Sequence, residues 1–257
     1  MSKIREAFRG KKAFIPFITA GDPDFSTTKA LVVALERAGA SVVELGIPFS
    51  DPTAEGPVIQ GANLRALAGG ATTDRIFDMV KELRQEVKIP LVFMTYANVV
   101  FSYGIERFAE RMEEVGMDGL ILPDVPFEEK EEFAPACRAH GIDWISLVAP
   151  TSEERIGMIA REAEGFLYLV SSLGVTGERR EITSDLPHML SLVREANPSL
   201  PCAIGFGIST PEQAGKMAKI ADGVIVGSAI VRKIGEKKSV SEVEAFVRSM
   251  VDALSER

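Results

Sequence analysis

The chain has 257 residues, a formal net charge of −8 and 46% hydrophobic content, enough apolar material for one large core of α/β-barrel size. No basic cluster tracks a nucleic-acid backbone, since the Arg-Arg pair sits in a run, Glu178-Arg179-Arg180-Glu181, that neutralises itself. No window approaches the ~18–20 apolar residues of a membrane span, and the opening Met1-Ser2-Lys3-Ile4-Arg5-Glu6 has no apolar stretch of a signal peptide, so a cytoplasmic protein is expected.

In chain order, a short amphipathic segment with Ile4 and Phe8 comes first, placed to cover the bottom of a barrel. Apolar runs then predict strands at 13–19, 42–46, 90–95, 119–122, 144–148, 166–170, 202–205 and 223–226. Most run continuously rather than alternating, as in parallel strands covered on both faces, and helical patterns fill the gaps. Capping-box spacing at Thr151-Ser152-Glu153-Glu154 and at Thr210-Pro211-Glu212-Gln213 marks helix starts. Gly39, Gly116 and Gly141 mark helix ends. With no linker and no second core, the expectation is a single (β/α)₈ barrel over residues 1–257. Cys137 sits in a helical pattern and Cys202 opens a strand, far apart and without metal-ligand spacing, so both read as core thiols.

The second strand carries the strongest chemical signal. Glu44 lies between Val42-Val43 and Leu45, followed by the loop Gly46-Ile47-Pro48-Phe49-Ser50-Asp51-Pro52. A carboxylate in a buried strand costs several kcal/mol unless it is paired, hydrogen-bonded or neutral, so Glu44 is the leading acid/base candidate. The competing reading, a strand-end charge reaching solvent, conflicts with its apolar flanks. Chemistry in such barrels belongs to the loops after the strands, which sets aside both histidines. His140 closes a helix before Gly141 and His188 falls within a helical pattern. Three glycine-bearing turns follow the last strands: Gly174-Val175-Thr176-Gly177, Gly205-Phe206-Gly207 and Gly227-Ser228. Glycine lets backbone N–H groups approach an anion and a helix N-terminus adds favourable dipole, so these turns read as a phosphate site, with a short extra helix at 228–231.

Taken together, PFITAGDP, VELGIPFSDPTAEGP, MTYAN, LPDVP, LGVTG, GFGIS and VGSAIV make the chain resemble the α-subunit family of tryptophan synthase over its full length. The resemblance implies retro-aldol cleavage of indole-3-glycerol phosphate to indole and glyceraldehyde 3-phosphate. By it, Glu44 is the principal acid/base, Glu55 receives the indole N–H, and Tyr168 contacts substrate near the acids. Gly177, Gly207, Gly227 and Ser228 map to phosphate ligands, and Phe17, Ile59 and Tyr96 to the indole pocket. Thr176 ties a lid at 172–183 to the second loop. The family usually has aspartate where this chain has Glu55, and many relatives carry arginine at Ser172. No metal or organic cofactor is implied for this subunit. The implied partner is a β chain carrying pyridoxal phosphate in an α₂β₂ assembly, docked through residues 48–52 with Asn98 and Phe101. The alternatives are a lyase acting alone and releasing free indole, a chiefly regulatory subunit, and another phosphate-binding barrel such as an isomerase or epimerase.

Overall fold

The computed structural model describes residues 2–171, 185–205 and 207–255. Its strands are β1 (Ala13–Thr19), β2 (Val43–Gly46), β3 (Leu91–Met94), β4 (Gly119–Ile121), β5 (Asp143–Trp144), β6 (Leu147–Val148), β7 (Leu167–Val170), β8 (Cys202–Gly205) and β9 (Gly223–Val226). All pairings are parallel, in the order β5-β4-β3-β2-β1-β9-β8-β7-β6. β5 and β6 are the two ends of one predicted strand at 144–148. The ladder changes partner between them: the Ile145 N–H donates to the Leu120 carbonyl at 3.0 Å and the Tyr168 N–H donates to the Ser146 carbonyl at 3.0 Å. The ring therefore closes through this segment, giving a (β/α)₈ barrel.

Several strands are a residue or two shorter than their apolar runs. Val42, Pro90 and Phe166 are buried just before their strands begin; Pro90 has no N–H to pair, and its carbonyl accepts from the Val43 N–H at 3.0 Å. Gly39, Gly116 and Gly141 end helices at positive φ, at 101°, 79° and 68°. Thr210 and Gln213 cap each other reciprocally as their spacing predicts. The capping box expected at Thr151 does not form. Pro150–Arg155 is a 3₁₀ turn and the α-helix starts only at Ile156. The Ser152 hydroxyl there accepts from the Ala149 N–H at 3.3 Å, so it serves the turn rather than the helix.

Alternation along the strands sorts the core into two layers. Phe14, Ile18, Val43 and Leu45 face the surrounding helices, whereas Ile15, Phe17, Val92, Ile121, Phe166, Tyr168 and Ile225 fill the barrel interior. Glu44, between Val43 and Leu45, is consequently turned inward, in register with Phe17 on β1 and Val92 on β3. The floor is closed by the helix Lys3–Ala7 and Phe8. A Cβ added at Gly119 would lie 2.9 Å from Ile4 Cδ1, and one at Gly223 would lie 2.9 Å from Phe8 Cε1. Glycine at these two floor positions makes the room that Ile4 and Phe8 occupy. Cys137 and Cys202 are both buried free thiols.

Candidate active site

A cavity of about 510 Å³, its open mouth included, lies at the C-terminal ends of the strands. Glu44, Glu55 and Tyr168 reach it from β2, from the loop after β2 and from β7. Phe17 and Ile59 form apolar walls. Gly207, Gly227 and Ser228 line the side beneath β8 and β9. Glycine is required behind two of these side chains. A Cβ on Gly46 would fall 2.5 Å from Phe17 Cζ, and one on Gly205 would fall 2.4 Å from the Tyr168 hydroxyl.

Glu44 is 1% exposed, and its Oε1 has no hydrogen-bond partner among the described residues. Burial pushes its carboxyl up to about 8, so it holds a proton at neutral pH. The negative charge it can acquire, together with burial as the larger cause, holds the Tyr168 phenol above its ordinary value.

Glu55 stands in a different setting. Its Oε2 accepts from the Asn63 amide at 2.6 Å, and the Tyr96 phenol lies near its carboxylate. Burial raises it to about 7, with the Asn63 hydrogen bond pulling downward. One carboxyl is thus kept neutral by burial, while the other is eased toward ionisation by the Asn63 donor, which separates acid from acceptor roles.

On the anion side, Gly207 has φ +79°, and Gly227 caps the helix Ser228–Gly235. The N-terminal N–H groups of a helix have no intrahelical partner, so this end of the cavity suits a phosphate. Thr176, Gly177 and the expected lid at 172–183 lie outside the described residues.

Tyr96 lies beside Glu55 and is not among the residues lining this cavity. Its hydroxyl accepts from the Ala54 N–H at 3.3 Å, and its ring is 5.4 Å from that of Phe49. The cavity wall also includes Met94, Ile208 and Ile225, which the sequence reading did not single out. Met94 and Ile225 are apolar strand residues like their neighbours. Only the register pairing Glu44 with Val92 fixes the inward phase that turns Met94 to the site. His140 caps a helix away from the cavity, Nδ1 at 2.6 Å from Glu113, and His188 lies in the helix Leu186–Ala196. Among the described residues no group of three or more His, Cys, Asp or Glu side chains could hold a metal ion.

The family model described as tryptophan synthase alpha chain matches residues 4–255. The tryptophan synthase alpha chain of Lacticaseibacillus casei is 50% identical over 258 residues, covering 98% of this chain and 97% of that protein. The crystal structure of tryptophan synthase subunit alpha from Legionella pneumophila superposes with a TM-score of 0.86 at 38% identity, over 99% of this chain and 98% of that one. A chain from the tryptophan synthase α₂β₂ complex of Pyrococcus furiosus superposes with a TM-score of 0.83 at 36% identity, over 94% and 99%.

Proposed function

Because the chain belongs to the tryptophan synthase alpha chain family, whose alpha reaction is a lyase activity, we propose that its cavity cleaves indole-3-glycerol phosphate to indole and glyceraldehyde 3-phosphate. The observation that carries this reading is the pair of carboxyls sharing one cavity in unlike environments, Glu44 with Oε1 unpaired among the described residues and Glu55 held by the Asn63 amide.

Protonated Glu44 delivers its proton to C3 of the indole ring, which becomes an electron-poor indoleninium. The Glu55 carboxylate accepts the indole N–H and steadies the positive charge. Glu44, now ionised, takes the proton of the glycerol hydroxyl next to the ring. As the aldehyde forms, the C–C bond breaks and its electron pair returns to the ring. Indole leaves with the new hydrogen at C3, and Glu44 regains its proton. Tyr168 bears on the substrate beside Glu44, and Phe17 and Ile59 hold the ring. Gly207, Gly227 and Ser228 receive the phosphate, together with Gly177 as the resemblance assigns it, and Thr176 ties the lid to the loop of Glu55. The chemistry runs on this chain's own side chains, with no cofactor bound to it.

The partner is a tryptophan synthase β chain in an α₂β₂ assembly, the composition named for the Pyrococcus furiosus complex, with pyridoxal phosphate carried by β. Residues 48–52, Asn98 and Phe101 form the docking side. No helix among the described residues is long and apolar enough to cross a membrane, which fits the expected place in the cytoplasm.

Steady-state indole release by Glu44→Gln tests the assignment. General acid–base catalysis contributes about 10²–10⁴-fold, and release should fall by that much while glycerol phosphate still binds. Turnover within about threefold of wild type would exclude Glu44 as the acid. Repeating the wild-type assay with and without the β chain separates a lyase that works alone from one that needs its partner.

A further inference from the structure

Asn63 has no place in the chemistry above, yet it is tied to it. The side chain is 3% exposed, and its Nδ2 donates to Glu55 Oε2 at 2.6 Å. Burying an amide costs free energy unless its hydrogen bonds are met, and this one spends a donor on a carboxylate eight residues back. The helix that carries it, Pro57–Ala68, is fixed on both sides of the contact. Gln60 Nε2 donates to the Glu55 carbonyl at 2.7 Å. Two residues beyond Asn63, Arg65 donates to the buried Asp22 through Nε at 2.8 Å and Nη2 at 2.9 Å. Burial, and then the charge of the same carboxylate, hold the nearby Tyr96 phenol above its ordinary value. That hydroxyl accepts the Ala54 N–H, and its ring packs on Phe49.

We propose that Asn63 is a positioning residue of the lyase reaction, holding the Glu55 carboxylate through Oε2 so that its remaining lone pairs face the indole N–H. The inference rests on the reading of Glu55 as the acceptor of that N–H. An ionised carboxylate has about four acceptor sites, so the anchoring donor leaves room for the substrate. Hydrogen bonds to an ionised group are the strong ones. The Asn63 bond favours the ionised form of Glu55, which burial has already brought to about 7. Loss of that donor raises it further.

The test uses full-length Asn63→Leu, close in size and without donors, and Asn63→Ala as a second variant if the first folds poorly. Misplacement of a reacting group by about 1 Å costs up to roughly 10²-fold, so kcat should fall about 10–100-fold with KM moving much less. The acidic limb of the kcat–pH profile should shift to higher pH, because Glu55 must still lose its proton to act. In a Glu55→Gln background, either Asn63 change should cost less than about threefold more, since residues acting through one another are not additive. An unshifted acidic limb, or an equal fold-loss in both backgrounds, would overturn the proposal and leave Asn63 a packing residue. Full activity of Glu55→Gln by itself would remove the acceptor role of Glu55, and the positioning role of Asn63 with it.

Discussion

Glu44 is held in a form that costs the fold stability. Its value near 8 in the folded chain lies far above the ~4.3 of an exposed glutamate. The folded state therefore keeps a proton that the unfolded chain gives up. A raised folded-state value contributes stability that is fully present below the unfolded value and is lost as pH rises through the folded one. The window for Glu44 accordingly runs from about pH 4 to about pH 8. Glu44→Gln has no such dependence at this position. Across that window the variant should gain on wild type by on the order of a few kcal/mol, although it has lost its chemistry. Urea unfolding of both proteins at about pH 5, 7 and 9 reads the difference. A gap that stays constant over that range would mean that Glu44 is solvated in the folded protein. Asn63 supports Glu55 in the opposite sense, favouring charge where the site of Glu44 suppresses it.

Among the elements, the ends of the strands hold the site to shape by leaving space. The Phe17 ring crosses the position that a side chain on Gly46 would need, with Cε2 at 2.8 Å and Cζ at 2.5 Å from an added Cβ. Gly46→Ala should therefore push the ring into the cavity. Overpacking of this kind typically costs about 1–3 kcal/mol. KM should rise by about tenfold, on the scale of a misplaced wall residue, with kcat less affected. Denaturant midpoints and Michaelis constants for the two proteins give both quantities. Unchanged KM together with reduced stability would mean that the strand end moves instead of the ring.

Glu44 was legible in the sequence because a charge inside Val-Val-Glu-Leu breaks an apolar run and needs no partner to be noticed. The glycines before Phe206 and Ser228 were legible as turns, and the helix at Ser228–Gly235 follows as expected. Asn63 was not, because its hydrogen bond to Glu55 depends on how the loop turns into the helix, and an asparagine between alanines and leucines carries no mark of that. The place of Tyr96 beside Glu55 was illegible for the same reason. A tyrosine after a barrel strand can point into the cavity or pack behind a neighbouring loop, and the ring of Phe49 on that loop decides it. The split of β5 from β6 reflects a change of ladder partner, which periodicity along a single strand does not record.

At the scale of the molecule, the βα units that supply Glu55 and Tyr96 also carry large exposed apolar groups. Leu64 is 64% exposed on the helix that holds Asn63, and Phe101 is 62% exposed on the helix that Tyr96 caps. Exposed aromatic rings such as Phe101 are enriched at protein interfaces. Truncating an anchor typically costs about 1–2 kcal/mol or more of binding, so Phe101→Ser should weaken association with the β chain by about tenfold. Indole release by the isolated chain should be unaffected. Titration of β-dependent activity measures both, and unchanged partner affinity would place the interface elsewhere.

The barrel's seam lies between the two strands that are farthest apart along the chain. Ala13 to Pro16 of β1 pair with Gly223 to Val226 of β9, Lys12 donates to the Ala221 carbonyl at 2.7 Å, and Phe8 sits against Gly223. On the ribosome, β1 must therefore wait with one edge unpaired until nearly the whole barrel has been made. An apolar strand with a free edge is a template for joining another chain, and the risk lasts for many seconds at ordinary synthesis rates of about 5–20 residues per second. Ribosome stalling or premature termination before Gly223 would release chains whose first strand has no legitimate partner. Those products should aggregate or be degraded, so for this protein the completeness of each message counts for more than it would in a fold with local pairing.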